Sequence, residues 1–255
     1  YMKEVTLKEY DTIEQSQVIV SGAPQFDFYK RHEYIMDKAK LFKLMNIEND
    51  NPIIFWTGVA PGVFPNEKIA LEIFLDHHQK GLLDEDVNII FRPHPVDILN
   101  KYDDLLTKYP KLIINSSNKG LDEKLADWHP TRDDMVIFSS ILAHCSVNIN
   151  MISTTTLDSF IFGKPVINIA FDEIELSHSS KRLKTFYELD YYKWIVESNS
   201  LRVAYDIDQL IHCINQAMKN PEKQRKEREY VIKKQIGLLD GNAGRRLALN
   251  ILSKI

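Results

Sequence analysis

The chain has 255 residues, of which 44% are hydrophobic and 27% are charged, and its formal net charge is −4. This composition is typical of a soluble globular protein, and the length allows one large or two small domains. The acidic balance excludes a globally basic surface, so nucleic acid is not expected as a partner. The sequence contains no apolar run of the ~18 residues that a membrane span needs and no recognisable signal peptide.

The two cysteines, Cys145 and Cys213, further limit the class of protein. They have neither the spacing of metal ligands nor the number that a disulfide framework requires. Both fit the reducing cytoplasm, where we expect the protein to be located. Because the chain begins at Tyr1 and a strand-like run follows soon after, we expect it to be a piece of a longer protein.

Short apolar runs predict strands along the chain. In chain order they cover residues 17–21, 53–57, 87–91, 111–115, 147–152, 166–171 and 201–205. Helical periodicity is found between them, at residues 34–45, 67–80, 96–108, 132–144, 157–162, 181–198 and 206–220, and a charged helix with a break at 240–242 ends the chain. Strands that alternate with helices predict an open, doubly wound parallel α/β sheet.

The stretch from residue 147 to residue 171 is the most informative part of the sequence. It reads as a strand, four hydroxyl residues, a brief helix, Gly163 and a second strand, which is a βαβ unit. The hydroxyl residues are Ser153, Thr154, Thr155 and Thr156. A helix N-terminus offers free N–H groups and a positive dipole end, so this turn suits a phosphate. The alternative is that the hydroxyl residues only cap the helix.

Asp158 lies one helical turn beyond Thr154, which is about 6 Å along the helix axis. That distance is roughly the reach from the phosphates of a nucleotide to its ribose hydroxyls, which a carboxylate can bind. The alternative is that Asp158 only stabilises the first turn of the helix.

Further candidate residues follow other predicted strands. Gly22 follows the first strand, Thr57 and Gly58 follow the second, and Arg92 and His94 follow the third. Ligands of doubly wound sheets bind outside the carboxyl ends of the strands, so we expect these residues and the hydroxyl cluster to share one cleft.

His94 is held in a stiff turn between Pro93 and Pro95. Its imidazole can neutralise a pyrophosphate and assist its departure, and Arg92 adds a cationic group. A capping or packing role is the alternative for His94. Asp172 and Glu173 follow a later strand and can meet a sugar or an acceptor, or form part of a solvated loop.

Two segments resemble the C-terminal, nucleotide-binding half of GT-B transferases. They read RPHP, at residues 92–95, and ISTTTLDSFIFGKPVINIAFD, at residues 152–172. The pattern is most similar to bacterial surface-polysaccharide enzymes, namely CDP-glycerol glycerophosphotransferase-like proteins and sialyl- and Kdo-type transferases. The resemblance covers roughly residues 17–255, and residues 240–243 correspond to the DG-x-A segment near its end.

The resemblance assigns roles to the candidate residues. It implies that His94 and the hydroxyl cluster contact the nucleotide phosphates, that His94 is catalytic, and that Asp158 matches an acidic residue of the following helix. It implies a Rossmann-like donor-binding domain at residues 17–220, preceded by a lead-in at 1–16 and followed by a helical segment at 221–255. No cofactor or metal is implied, since helix dipoles and His or Arg side chains can take the place of Mg²⁺.

The implied function is transfer of a sugar or polyol phosphate from a CMP-, CDP- or UDP-linked donor during cell-surface polysaccharide biosynthesis. The acceptor would be a glycan or a lipid-linked molecule, and a lipid-linked acceptor would place the protein at the inner face of the membrane as a peripheral protein. The second Rossmann-like domain of GT-B enzymes is not found, so catalysis would need a missing N-terminal domain or a partner chain. The alternatives are a UDP-sugar 2-epimerase of GT-B fold and a non-catalytic nucleotide-binding module.

Overall fold

The structure of the chain is a computed structural model that describes residues 1–116, 130–172 and 179–253. The described strands are β1 (Ile53–Thr57), β2 (Asn88–Arg92), β3 (Leu112–Ile114), β4 (Val147–Asn150), β5 (Val166–Ile169) and β6 (Arg202–Ala204). They form one sheet in the order β3-β2-β1-β4-β5-β6, and every neighbouring pair is parallel. The predicted doubly wound α/β fold is confirmed.

Helices connect the strands and continue beyond them. They are α1 (Met2–Glu9), α2 (Lys38–Leu44), α3 (Glu67–Gln79), α4 (Asp103–Lys108), α5 (Arg132–His144), α6 (Thr155–Ile161), α7 (Ser179–Phe186), α8 (Asp190–Glu197), α9 (Ile207–Lys219), α10 (Arg225–Gln235) and α11 (Ala243–Leu252). Short 3₁₀ segments cover Gln15–Gln17, Pro24–Lys30, His32–Tyr34 and Leu99–Tyr102. None of the helices in these described ranges is both long and apolar enough to cross a membrane.

The strand order reverses between β1 and β4. The chain builds outward from β1 through β2 to β3, and then returns to place β4, β5 and β6 on the other side of β1. All carboxyl ends lie at one edge because all the pairs are parallel. A crevice forms at such a switch point, and it is the usual ligand site of these sheets.

The core lies on both faces of the sheet. Ile54 and Trp56 of β1 belong to one apolar cluster, and Ile53 and Phe55 belong to the other, because successive strand residues point to opposite faces. Every residue of β1 is buried. Burial on both faces explains why these strands read as continuous apolar runs rather than as alternating patterns.

The strand predicted at residues 17–21 is wrong. This segment is a 3₁₀ turn followed by extended chain outside the sheet, and Ile19 and Val20 are 50% and 63% exposed. β-Branched residues favour an extended backbone, but extended chain becomes a strand only with a hydrogen-bonded neighbour. Gly22 therefore does not follow a strand.

Three predicted helices differ from the observed ones. The helix expected at 181–198 is two helices, α7 and α8, and the helix expected at 96–108 is a 3₁₀ turn followed by α4. The helix expected from residue 34 begins at Lys38, because the side chain of Asp37 accepts a hydrogen bond from the backbone N–H of Lys40. By contrast, α5 has the predicted bounds.

The segments near the two ends of the chain pack against each other. Asp27 accepts hydrogen bonds from the backbone N–H groups of Ala243 (3.0 Å) and Gly244 (2.8 Å), which caps α11. Arg246 donates to the carbonyl of Ser21 (2.8 Å). Gly241 has φ +76° there, and a Cβ atom at this position would lie 3.2 Å from Cβ of Lys30. The DG-x-A segment thus contributes to this terminal packing.

Candidate functional site

The end of β1 holds the neighbouring strand ends together. The N–H of Gly58 donates to the carbonyl of Arg92 (2.8 Å), and a Cβ atom on Gly58 would lie only 3.0 Å from the backbone nitrogen of His94. Glycine is required here by the close approach of the two backbones. Thr57 is 5% exposed, and its hydroxyl accepts from the amide of Asn148 (3.4 Å). Both residues therefore contribute structurally to the site.

The residues that follow β2, here called the β2 exit, are residues 92–97. His94 is half-buried there. Its Nδ1 accepts from the N–H of Val96 (3.3 Å), and its carbonyl accepts from the N–H of Asp97 (2.8 Å). Because Nδ1 is an acceptor, the neutral ring carries its proton on Nε2. Burial lowers the pKa of His94, and the nearby Asp97 opposes this effect. His94 is therefore a neutral Nε2–H donor at pH 7.

Arg92 supplies a positive charge beside His94. Its guanidinium donates to the side chain of Asn115 and lies 5.1 Å from the ring centroid of Phe138. The carboxylate of Asp134 acts on its charge through space, and this opposes the lowering of the pKa of Arg92 by burial. No direct ion pair to Arg92 is found within the described parts of the chain, so its charge can still act on an anion.

Glu67 is a buried carboxylate that the sequence reasoning treated only as the first residue of a helix. It is 3% exposed and accepts from the indole N–H of Trp56 (3.2 Å) and the backbone N–H of Val59 (3.1 Å). Burial raises its pKa to about 7, although both hydrogen bonds act in the opposite direction. The sequence does contain a signal for a buried acceptor: Trp56 lies inside an apolar strand, and a buried indole N–H needs an acceptor.

Asp97 is a second buried carboxylate, at the end of the β2 exit. It accepts from the hydroxyl of Tyr102 (2.6 Å) and the N–H of Ile98 (2.8 Å), and it pairs with Lys101 (2.6 Å). The β2 exit thus contains the buried carboxylate of Asp97 and lies next to that of Glu67, and the protein itself supplies both with hydrogen-bond donors.

The residues that follow β4, here called the β4 exit, are residues 151–156. Ile152 has φ +36°, which is unusual for a β-branched residue and costs of order 1–3 kcal/mol. Ser153 Oγ accepts from the N–H of Thr155 (3.1 Å) and donates to the hydroxyl of Thr155 (3.0 Å). Ser153 and Thr155 are half-buried and Thr154 is exposed, whereas Thr156 is fully buried. The hydroxyl groups that remain within reach of a ligand are those of residues 153–155.

Beneath the β4 exit lies a chain of buried neutral groups, here called the amide ladder. Its members are Asn148, Asn150, Thr156, Asn168 and Tyr192. Asn150 is central, since its amide donates to Asn148 (2.6 Å) and its oxygen accepts from Asn168 (2.7 Å) and Thr156 (3.1 Å). The hydroxyl of Tyr192 donates to the oxygen of Asn168 (2.7 Å). The ladder joins β4, β5, α6 and α8 without any charge, and the sequence reasoning missed it.

The carboxyl group of Asp158 is engaged by another part of the protein. It is 9% exposed, and its Oδ1 accepts from the hydroxyl of Tyr29 (2.9 Å). Burial raises the pKa of Asp158 to about 7, and the hydrogen bond from Tyr29 opposes this effect. The ribose contact stays a prediction, and it would require Asp158 to share or release Tyr29.

The structure brings together most of the predicted site residues. The ends of β2, β1 and β4 are adjacent, so Arg92, His94 and the hydroxyl cluster flank the end of β1. Gly22 does not join them; a Cβ atom there would meet Ala243 at 3.1 Å and Arg246 at 3.0 Å.

Two further observations concern the surroundings of the site. Asp172, after β5, accepts from the side chain of Asn66 (3.0 Å), and Glu173 lies outside the described residues. A search of the described ranges for grouped metal-ligating side chains found none.

The fold is a Rossmann-like α/β unit, with a crevice at the carboxyl ends of its strands. The family model of CDP-glycerol:poly(glycerophosphate) glycerophosphotransferases matches residues 1–253. The chain belongs to this family. A search of curated protein sequences found no match to the chain.

Solved structures show the same fold. UDP-GlcNAc 2-epimerase from Neisseria meningitidis, bound to UDP-GlcNAc, is 15% identical with a TM-score of 0.60, covering 98% of this chain and 59% of that one. The wall teichoic acid polymerase TagF is 14% identical with a TM-score of 0.58, covering 99% and 55%. A putative UDP-N-acetylglucosamine 2-epimerase from Listeria monocytogenes is 15% identical with a TM-score of 0.57, covering 99% and 57%. The chain thus spans little more than half of these proteins.

Proposed function

We propose that this chain binds a nucleotide-activated donor of the CDP-glycerol type at the crevice between the β2 and β4 exits. Together with a second domain or a partner chain, it would transfer glycerol phosphate to a glycan or lipid-linked acceptor in the synthesis of a cell-surface polymer. The observation that carries this proposal is the family match over residues 1–253. A structure of a TagF variant soaked with CDPG supports the choice of donor.

His94 has the clearest chemical role in this proposal. The acceptor hydroxyl would form a bond to the phosphorus that bears glycerol, while the bond from that phosphorus to the bridging oxygen breaks and CMP leaves with the electron pair. The Nε2–H of His94 would stabilise the negative charge that develops on the leaving phosphate. The base that accepts the hydroxyl proton would come from the second domain or the partner chain.

The other site residues divide into those that contact the donor and those that hold the site. Arg92 supplies positive charge, and the hydroxyls of residues 153–155 supply neutral donors to the diphosphate. Thr57, Gly58, Thr156 and Asp158 are buried or closely packed, so we assign them to positioning.

A binding titration tests the donor. Calorimetry of the 255-residue chain against CMP, CDP, UDP and GDP should show the tightest binding for CDP. His94→Ala should weaken that binding while the thermal unfolding midpoint changes little. Absence of binding to every nucleotide would contradict the proposal.

A second candidate function is UDP-sugar 2-epimerisation, since the epimerase bound to UDP-GlcNAc shares the fold. Preferential binding of UDP would favour it. Product analysis of the complete protein separates the reactions, because an epimerase releases UDP or an epimerised donor without any acceptor, and a transferase requires the acceptor.

A further inference from the structure

The residue that follows β3, Asn115, adds a further strand end to the candidate site. Phe91 pairs with Ile114 in the parallel register of β2 and β3, and the N–H of Asn115 donates to the carbonyl of Phe91 (2.8 Å). Asn115 therefore comes level with Arg92, and neighbours at the same level of a sheet point to the same face. The hydrogen bonds of the sheet thus fix Asn115 beside Arg92.

Two side chains contact the guanidinium of Arg92 directly. The side-chain oxygen of Asn115 accepts a hydrogen bond from Nη1. The ring centroid of Phe138 lies 5.1 Å from Cζ, and this ring packs edge-to-face on Phe55 of β1, with 5.9 Å between the centroids. Within residues 1–116, 130–172 and 179–253, the other N–H groups of the guanidinium make no hydrogen bond. Arg92 is therefore held by one amide and one ring, and it keeps donors for a ligand.

The charged groups near Arg92 act on it only through space. Burial lowers the pKa of Arg92, and Asp134 and Tyr29 oppose that effect. The carboxylate of Asp134 accepts from the N–H (3.0 Å) and the hydroxyl (2.8 Å) of Thr131, at the beginning of α5. The hydroxyl of Tyr29 donates to Asp158 (2.9 Å). The direct contacts of the guanidinium within the described chain are therefore neutral.

We propose that Asn115 is a positioning residue, which fixes the guanidinium of Arg92 against a phosphate of the donor without taking its charge. Aspartate has almost the same shape, but it would form a charge-assisted pair with the guanidinium. Such a pair has no net charge to act on an anion. The amide of Asn115 supplies the same acceptor and leaves the charge to the ligand. This inference rests on the proposed function, because it takes the diphosphate as the ligand of Arg92.

Asn115→Asp tests the need for a neutral acceptor. In calorimetry of the 255-residue chain, affinity for CDP and for inorganic pyrophosphate should fall about 10-fold, because Arg92 acts on the phosphates. The thermal unfolding midpoint should equal or exceed that of the parent, since a charge-assisted bond replaces a neutral one.

Asn100→Asp is the matched control for the added charge. Asn100 is exposed and makes no hydrogen bond to Arg92, so solvent and salt screen a carboxylate there. Affinity for CDP should change less than about 2-fold in this variant. Equal losses for Asn100→Asp and Asn115→Asp would show a general effect of charge and overturn the role of Asn115.

A double-mutant cycle shows whether Asn115 acts through Arg92, and it also decides the question if Asn115→Asp does not fold. Asn115→Ala should weaken CDP binding about 5-fold, because the guanidinium loses its fixed partner. In an Arg92→Met background the same change should have almost no further effect, since the group that Asn115 positions is absent. Equal losses in both backgrounds would overturn the positioning role.

The binding data separate this inference from the proposed function. A parent chain that binds none of CMP, CDP, UDP and GDP contradicts the proposed function, and the inference with it. A parent that binds CDP, and whose affinity is retained in Asn115→Asp, overturns the inference alone.

Discussion

The β2 exit and the β4 exit flank the same strand end, yet they are built from opposite chemistry. The β2 exit carries Arg92, His94 and the buried carboxylate of Asp97, and it lies next to the buried carboxylate of Glu67. The β4 exit presents serine and threonine hydroxyls and lies on the uncharged amide ladder. The two sides can therefore contribute differently to one anion site: the first through charge, and the second through neutral donors fixed in position.

The difference has an energetic basis. A buried carboxylate is tolerated only where donors surround it, and its cost depends on pH because protonation removes the charge. A ladder of amides and hydroxyls has a cost that depends only on whether each group finds its partner. We therefore expect the contribution of the β2 exit to stability and ligand binding to depend on pH, and the contribution of the amide ladder to stability to be independent of pH.

The largest effect on ligand binding should come from the uncharged side. Thr155→Glu places a carboxylate where we propose the phosphate lies, and we expect at least about a 100-fold loss of affinity from charge repulsion. Thr155→Ala is the matched control and should lose only about 0.5–1.5 kcal/mol, the net value of one neutral hydrogen bond. Calorimetry with CDP measures both. Equal and small losses for the two variants would place the phosphate elsewhere.

The largest effect on stability should come from the centre of the amide ladder. Asn150→Leu leaves groups of Asn148, Asn168 and Thr156 without their partner, and we expect a loss of about 3 kcal/mol in the free energy of unfolding. Urea denaturation measures it. The loss should be the same at pH 6 and pH 8, because no member of the ladder titrates in this range. A pH-dependent loss would contradict the division between the two exits.

His94→Ala should weaken binding of CDP-glycerol by about 1.5–3 kcal/mol, the value of a hydrogen bond to a charged group. The parent should also bind more weakly as the pH rises from 6 to 8. Burial lowers the pKa of His94 in the free protein, and a bound diphosphate would raise it, so binding takes up a proton between the two values. Calorimetry in two buffers of different ionisation enthalpy detects that proton. His94→Gln, which cannot be protonated, should lose the part of the pH dependence that comes from His94, and a flat profile for the parent would exclude this role.

The sequence predicts the secondary structure better than it predicts the hydrogen-bond partners of buried side chains. The βαβ unit of β4, α6 and β5 follows from continuous apolar runs, and α5 begins at a capping box formed by Thr131 and Asp134. These signals are local in sequence. The turns that follow β2 and β4 could likewise be predicted, because proline and hydroxyl residues have strong positional preferences.

The partners of buried polar groups could not be predicted, because they are distant in sequence. Tyr29 and Asp158 are 129 positions apart, and Thr156 and Tyr192 are 36 apart. The sequence indicates a carboxylate at Asp158 that is free to bind a ligand, because nothing near it in sequence shows that Tyr29 donates to it. The same limit applies to the strand predicted at residues 17–21, since a pattern of β-branched residues does not show whether a neighbouring strand exists.

The smallest expected effect concerns Glu67, which tests whether the β2 exit and the β4 exit differ in their response to pH. Its pKa is raised to about 7 in the folded state, from 4.5. Between these values the folded chain binds more protons than the unfolded chain, so stability falls as the pH rises through this window. From pH 6 to pH 8 the parent should lose about 1 kcal/mol through this group.

Glu67→Gln keeps an acceptor for Trp56 and should remove that part of the pH dependence, as measured by urea denaturation at several pH values. Asp158→Asn is the matched control on the β4 side, since the pKa of Asp158 is also about 7. This variant should remove a similar part of the pH dependence of stability. The two variants should differ in ligand binding, because Glu67 also receives the N–H of Val59 in the loop after β1. We expect Glu67→Gln to alter the pH dependence of CDP binding as well as stability, and Asp158→Asn to alter stability alone. If Asp158→Asn weakened CDP binding but left binding of inorganic pyrophosphate unchanged, Asp158 would contact the ribose as the sequence first indicated, and the β4 exit would not be a purely neutral side of the site.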